Sequence, residues 1–375
     1  MNVRRSSTQL PELVARGAIL AVIGVYLWFG LTTAQSTFGC DFLAYYNASV
    51  HWIHGQPIYD LAQTSTGTCG TFQYPPPFVL LAAPFSFLGF DAGNWAWIAF
   101  LIGCFAVGTA VLPVRSSTRW IVLLLGAIGW PLIFGVRIGQ VAPILYVLLA
   151  AAWRSLDDPR GLGASIALGT LVKLQPGLLG LWLLARREWR AIRFAAVTGL
   201  VIVVAAAVVG LRDWLDLIAL LRNLTDALTQ ASNVAIGAVL YQLGVPAGVA
   251  GPVQSINTVA AILAVIVVAL RVPREAGFLA TVVATQLVSP IVWTHYALVL
   301  LLPIAWLLDR RQWWALVIPV SQAWVLIPFQ ANWWYTAGFY AAFIAVVVVG
   351  WRELRSEAAV ATNVRGRLPA QGASA

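Results

Sequence analysis

The chain has 375 residues, is 60% hydrophobic and 10% charged, and has a mean hydropathy of +0.83. A soluble domain carries about a quarter charged residues, so too little polar surface is present here to cover a water-exposed globule. The formal net charge is +9. The basic residues stand at the ends of apolar runs (Arg4-Arg5, Arg186-Arg187 to Arg193, Arg271 and Arg274, Arg310-Arg311, Arg352 and Arg355) rather than in one patch. That is the positive-inside distribution of a membrane protein, and it excludes a nucleic-acid surface.

A spanning structure must satisfy its own backbone hydrogen bonds, as helices or as a closed barrel. Unbroken apolar runs such as Phe194 to Leu211 exclude the alternation of a barrel. The predicted fold class is therefore an all-α polytopic membrane protein. One transmembrane domain is expected over residues 1–351, with a disordered cytoplasmic tail over 352–375.

Residues 1–16 read as a short cytoplasmic tail and 17–35 as a retained first span leading outward. The first long polar interval, residues 36–75, reads as an outer loop with two short interfacial helices and a Thr/Gly-rich hinge from Thr64 to Thr71. Asp41 stands just beyond the span, at the water boundary. Phe42, Tyr45, Tyr46, Trp52, Ile53 and Tyr59 suit a helix lying at headgroup depth. Cys40 and Cys69 flank this loop. They would close it as a disulfide in an oxidising compartment, although spacing alone does not establish the bond.

Tyr74-Pro75-Pro76-Pro77 opens the next run, since proline is tolerated in a first helical turn. Residues 76–90 and 94–113 read as a hairpin turning at Asp91–Asn94. Two runs, 120–135 and 141–153, are separated by Arg137-Ile138-Gly139-Gln140. Residues 161–185 are interrupted by Lys173-Leu174-Gln175-Pro176 and are expected to kink or break there. A run at 195–210 leads to a second outer amphipathic segment, 211–233, and a weakly polar stretch from Gly237 to Pro252. Further runs lie at 256–270, 276–290, 296–308, 313–328 and 334–351.

The sum is about twelve spans with both ends inside. A linear count leaves Arg115, Arg119, Arg154 and Arg160 outside, against the charge rule. Treating 161–185 as a broken hairpin, with one segment of 76–113 not crossing, brings them inside and puts Arg137 and Lys173 near the outer face. The sequence leaves both arrangements open, and it does not fix the oligomeric state.

Ionisable groups at membrane depth are costly and usually functional. Arg137, Lys173 and His295 are such groups. Each also has a structural reading: a loop marker, a snorkelling lysine and a hydrogen-bonding histidine. Asp41 also has a structural reading, as a helix N-cap, and Tyr45 and Tyr46 as belt aromatics. No metal-ligand cluster, nucleotide loop or cofactor motif is present. A carboxylate, cations and a histidine around one outer cavity suit a general base acting beside a lipid phosphate. That combination points to group transfer from a lipid-phosphate carrier. A secondary transporter or lipid flippase is the alternative from another class, although no internal repeat is visible.

The ordered motifs Asp41-Phe42-x-x-Tyr45-Tyr46, Tyr74-Pro-Pro-Pro-Phe78, Arg137-x-Gly139-Gln140, Lys173-x-x-Pro176 and Ser289-Pro290-x-x-Trp293-x-His295-Tyr296 resemble glycosyltransferase family 87 over residues 17–351. That family comprises actinobacterial polyprenyl-phosphate-mannose-dependent α-mannosyltransferases. The resemblance implies a GT-C type fold and inverting transfer of mannose from a polyprenyl-phosphate-mannose donor, often forming an α-1,2 linkage. It implies a mannoside glycolipid or glycan acceptor in the bilayer, of the phosphatidylinositol mannoside, lipomannan or arabinomannan type. A donor carrying arabinose or glucose would keep the same fold.

The family's catalytic aspartate and histidine match Asp41 and His295, and its basic positions match Arg137 and Lys173. Tyr45, Tyr46, Tyr74, Gln140, Trp293 and Tyr296 are the further substrate-binding candidates. One departure is plain: the family carries Asn two residues after the Gln of Arg-x-Gly-Gln, and this chain has Ala142.

Overall fold

The computed structural model describes residues 9–32, 37–208, 210–323 and 331–367. Residues 1–8, 33–36, 209, 324–330 and 368–375, on which parts of the predicted N-terminal tail, first span, outer loop, 195–210 run, 313–328 span and C-terminal tail fall, lie outside that set. Among the described residues there is no strand, only two isolated bridges, Gly129 with Ala323 and Asn233 with Trp293.

In chain order the helices are α1 (Gln9–Thr32), α2 (Cys40–Ile53), α3 (Phe78–Ser86), α4 (Phe90–Val111), α5 (Ser116–Ile128), α6 (Trp130–Ile138), α7 (Ala142–Arg154), α8 (Pro159–Val172) and α9 (Leu178–Ala185). Then follow α10 (Trp189–Ala205), α11 (Arg212–Asn223), α12 (Ile236–Gln242), α13 (Ala247–Arg271), α14 (Arg274–Leu287), α15 (Leu301–Asp309), α16 (Val317–Ser321) and α17 (Asn332–Arg367). A 3₁₀ segment, Thr294–Leu300, leads directly into α15. Phe90–Val111, Ala247–Arg271 and Asn332–Ser356 are each long and apolar enough to cross a bilayer alone. Other apolar helices, such as α5, α7, α9 and α15, are shorter, because glycine and proline break the runs. Gly129 and Pro131, for example, split the predicted 120–135 run into α5 and α6.

Four differences from the sequence reading follow from local chemistry. The outer loop holds one helix, α2, rather than two; beyond Ile53 the chain is turns and coil, cross-linked to α2. The turn expected at Asp91–Asn94 lies earlier, at Phe87–Gly89, and Asp91 occupies the first turn of α4, where a carboxylate complements the helix dipole. Within 211–233 only α11 is helical, while α12 and the start of α13 occupy the weakly polar stretch from Gly237 to Pro252. Helix α17 continues to Arg367, past Arg352 where a disordered tail was expected to begin. Glu353 accepts from Arg310 at 2.7 Å, and the segment is rich in helix formers.

One face of the helix assembly gathers the arginines. Arg274 pairs with Asp157, just before α8, at 3.0 Å and with Glu188, just after α9, at 2.8 Å. Arg310 pairs with Glu275 and Glu353, and Arg115 with Asp309. The indoles of Trp153 and Trp306 both donate to the Glu275 carboxylate, at 2.8 and 2.9 Å. Both ends of the 159–185 segment therefore meet at one arginine. The α8–α9 unit is a hairpin with Lys173 at its tip. Trp97, Trp153, Trp182 and Trp306 are fully buried, so these indoles are core residues rather than interfacial anchors.

Candidate active site

The site lies at the end of the assembly opposite the arginine face. Helix α2 starts from Gly39, whose φ of +68° is left-handed and suits a residue without Cβ. The Gly39 N–H donates to the Arg137 carbonyl at 2.9 Å. Helix α6 ends at Gly139, φ +84°, where a Cβ would stand 2.8 Å from that of Phe42. The Gly139 carbonyl accepts from the Trp97 indole at 2.7 Å. The glycine of Arg137-Ile138-Gly139-Gln140 thus lets α2 rest directly on the end of α6. Cys40 and Cys69 form a disulfide, and Gly70 N–H donates to Cys40 O at 3.2 Å, pinning the loop to the start of α2.

Asp41 lies in the first turn of α2 and is not its N-cap: that position is Gly39, with no side-chain cap. The residue is half-buried, with its carboxylate near enough to Lys173 to feel its charge, and near enough to the Tyr45 and Tyr74 hydroxyls to disfavour their ionisation. Enclosure by protein pushes its pKa well above the ordinary carboxylate range, and the Lys173 ammonium opposes that shift.

Tyr45 is fully buried, and its hydroxyl donates to the Tyr74 hydroxyl at 2.9 Å. The Tyr59 hydroxyl donates to the Tyr74 carbonyl at 2.6 Å. Gln140 donates more weakly to the Tyr74 hydroxyl, at 3.5 Å, and its side-chain oxygen accepts the Ala142 N–H at 2.6 Å. At the position where Asn was expected, the backbone of Ala142 is held by Gln140 as α7 begins.

Lys173 terminates α8 in an extended conformation. Its ammonium donates to the Tyr296 hydroxyl and stands 5.5 Å from the centre of the Tyr74 ring. The His295 ring meets Tyr296 edge-on with centroids 4.7 Å apart, and lies 6.0 Å from Phe134. The Arg137 guanidinium carbon stands 5.5 Å from the Phe134 ring centre, and its terminal nitrogen donates to Thr37 Oγ1 at 2.7 Å. The chain of contacts from Lys173 through Tyr296, His295, Phe134 and Arg137 therefore returns to the foot of α2, beside Asp41.

Buried polar atoms nearly always have partners. Here both His295 ring nitrogens and the Arg137 Nε are buried without a hydrogen-bond partner among the described residues. Groups left in that state inside a cluster of opposite charges are candidates for contacts with substrate.

Two expected site residues are not in this ring. Tyr46 points to the other side of α2, against Phe42 and Phe90 at 6.3 and 5.7 Å between centroids. Successive helical residues diverge by about 100°, so Tyr45 and Tyr46 cannot face one cavity. Trp293 is half-buried and bridges through its backbone to Asn233, one turn away from His295.

The profile of Glycosyltransferase family 87 matches residues 72–290, more than half of the chain. The chain belongs to glycosyltransferase family 87. Within that match lie Tyr74, Arg137, Gln140 and Lys173; Asp41 falls before it and His295 and Tyr296 after it, so the match is narrower than the motif resemblance.

Two curated relatives of this family 87 chain are informative. One, from Mycobacterium tuberculosis, is a polyprenol-phosphate-mannose-dependent alpha-(1-2)-phosphatidylinositol mannoside mannosyltransferase. It is 26% identical over 184 residues, 43% of this chain and 43% of the relative. The other, from Mycolicibacterium smegmatis, is a polyprenol-phosphate-mannose-dependent alpha-(1-2)-phosphatidylinositol pentamannoside mannosyltransferase. It is 30% identical over 265 residues, 63% of this chain and 61% of the relative. The matched part of the chain thus spans about half the length of these relatives.

Two residues of the candidate site escaped the sequence reading. Phe134 sits one turn before Arg137 and separates it from His295, but in sequence it is one more apolar residue of a span. Asp226 lies in coil after α11 and accepts from Ser65 Oγ at 2.7 Å, Thr66 N–H at 2.9 Å and Thr66 Oγ1 at 2.9 Å. It thereby holds the loop whose other anchor is Cys69. Its partners stand 160 residues away, and no local pattern marks it.

Proposed function

We propose that the chain transfers mannose from a polyprenyl-phosphate-mannose donor to a mannoside glycolipid or glycan acceptor, with inversion, forming an α-1,2 linkage. The observation that carries this reading is the gathering of Lys173, Tyr296, His295 and Arg137 beside Asp41, at the end of the molecule away from the arginine face. Family membership and the activities of the two relatives support this choice of donor and linkage.

In this mechanism Asp41 is the general base. Its carboxylate takes the proton of the acceptor hydroxyl as that oxygen attacks the anomeric carbon. The bond from that carbon to the phosphate oxygen breaks on the opposite face, and polyprenyl phosphate leaves with the electron pair. Lys173 and Arg137 balance the charge gathering on the phosphate, where preorganised donors act most strongly. A carboxylate whose acidity is weakened by burial is a stronger base than one in water, and the nearby ammonium keeps it ionised. His295 and Tyr296 shape the sugar site.

The fold is read as GT-C type with about twelve passes. The Asp157–Arg274–Glu188 junction supports a hairpin over α8 and α9 that leaves and returns to the arginine face. The site is assigned to the extracytoplasmic side of the cell membrane. Arginines crowd the other face, and a disulfide beside Asp41 suits an oxidising compartment.

The test is a membrane assay with radiolabelled polyprenyl-phosphate mannose and a panel of mannoside acceptors, followed by linkage analysis. Label incorporated in an α-1,2 linkage only when the chain is present is the expected result. Membranes that carry the folded chain yet transfer no label to any acceptor would refute the reading.

A further inference from the structure

At the arginine face, the starts of α8 and α10 enclose a groove of about 420 Å³ lined by Asp158, Pro159, Arg160, Arg190, Arg193 and Phe194. That volume lies in the range of small-ligand sites, about 300–1,000 Å³. It stands at the opposite end of the 14-residue helix α8 from Lys173. A rise of about 1.5 Å per residue separates the two ends by roughly 20 Å. The groove is therefore no part of the transfer site.

Its charge is uncompensated. Arg274, Arg310 and Arg115 each have carboxylate partners. Among the described residues, Arg160, Arg190 and Arg193 have none. The carboxylates nearby are already occupied. Asp157 and Glu188 bind Arg274, and Asp158 turns back to accept from the Arg160 and Gly161 amides at 3.1 and 3.0 Å. Three guanidinium groups thus face one carboxylate whose oxygens are engaged elsewhere.

The groove also has an apolar continuation. The Arg160 guanidinium stands 5.7 Å from the centre of the Phe194 ring. From Phe194 an exposed stripe runs up α10 through Val197, Val201 and Val204, 57%, 60% and 63% exposed. Trp189, 56% exposed, opens the same helix at the depth where membrane tryptophans sit. A cationic pocket continuous with a lipid-facing apolar stripe has the shape of a charged headgroup with an acyl chain attached.

We propose that this groove is a specific binding site for an anionic phospholipid. The phosphate diester would lie among Arg160, Arg190 and Arg193, and one acyl chain would lie along the Phe194–Val204 face of α10. Arginine suits this role because its planar fork matches two phosphate oxygens at once. A bound lipid would tie α8 to α10, and α8 carries Lys173 at its far end.

The test titrates the full-length protein in neutral detergent with phosphatidylglycerol, counting bound lipid by native mass spectrometry. The triple variant Arg160→Gln/Arg190→Gln/Arg193→Gln should bind the tightest phosphatidylglycerol roughly a hundredfold more weakly, since each such cation contributes about fivefold. The control Arg271→Gln/Arg311→Gln/Arg352→Gln removes equal charge from elsewhere on the face and should bind as the parent does. If the triple variant is not recovered folded, Arg193→Gln alone should show about a fivefold loss. Equal loss in groove and control variants would mean diffuse surface attraction and would overturn the proposal. So would equal affinity for phosphatidylcholine, or displacement of the lipid by equimolar glycerol phosphate, which would mark a soluble-anion site.

Discussion

The Lys173 ammonium donates to the Tyr296 hydroxyl, joining the tip of the α8–α9 hairpin to the 3₁₀ segment that carries His295, 123 residues further along the chain. The bond fixes a cation at the side of the cluster that faces Asp41. If that cation stabilises the departing phosphate, its removal should cost rate more than binding. We expect Lys173→Met to lower kcat by about 10²–10³-fold, the size seen on removing one preorganised donor. Tyr296→Phe keeps the cation and removes one hydrogen bond, so its loss should be about tenfold or less. Initial rates of mannosyl transfer against donor concentration check both. A Lys173→Met enzyme with parental kcat would remove the lysine from the mechanism.

Asp41 should set the acid limb of the pH profile. A general base works only when ionised, so kcat/KM should rise with pH through a value above the ordinary carboxylate range, because burial disfavours the charged form. Lys173 opposes that shift. Lys173→Met should therefore move the limb to still higher pH, while Asp41→Asn should abolish transfer and leave the folded protein intact. An acid limb in Lys173→Met at or below the parental position would contradict the electrostatic link between the two.

Much of this site is legible in the chain because its backbone needs are unusual. Pro176 after Lys173 announces a break in an apolar run, and the hairpin tip is there. Gly139 after Arg137 announces a helix end, and α6 stops there with Phe42 against it. What the sequence hides is which side a residue faces. Tyr45 and Tyr46 are alike in composition and neighbours, yet one enters the Tyr74 cluster and the other packs on Phe90. Nor does the sequence fix the sense of the 94–185 passes. The charge rule disfavours leaving Arg115, Arg154 and Arg160 outside but does not show which segment turns back; the shared partner Arg274 brings Asp157 and Glu188 together.

That hairpin can be tested by labelling. In a Cys104→Ser background the disulfide leaves no free thiol, so single cysteines report their side of the membrane. Cysteines at Gln56 and Leu174 should react with an impermeant maleimide in intact cells. Cysteines at Arg154 and Arg187 should react only after permeabilisation. Labelling of Arg154→Cys in intact cells would restore the linear arrangement, with the 161–185 segment crossing once.

Asp226 should stabilise the outer loop in a pH-dependent way. Partial burial disfavours its charge, but hydrogen bonds from Ser65, the Thr66 amide, Gln230 and the Thr66 hydroxyl outweigh that and hold its pKa below the ordinary carboxylate range. A group whose pKa is lower folded than unfolded stabilises the fold at every pH above its unfolded value, and that contribution disappears as pH falls through the folded value. Asp226→Ala should therefore cost about 1–3 kcal/mol at neutral pH, by leaving the Ser65 and Thr66 donors without their acceptor. The cost should shrink as the medium is acidified through the carboxylate range. Because Asp226 and the Cys40–Cys69 disulfide hold the same loop, the substitution should also raise KM for the acceptor more than it lowers kcat. Thermal unfolding of parent and variant at neutral and acidic pH, with acceptor kinetics at neutral pH, reads both effects. A Tm difference that grows on acidification would show that the carboxylate is not the clamp.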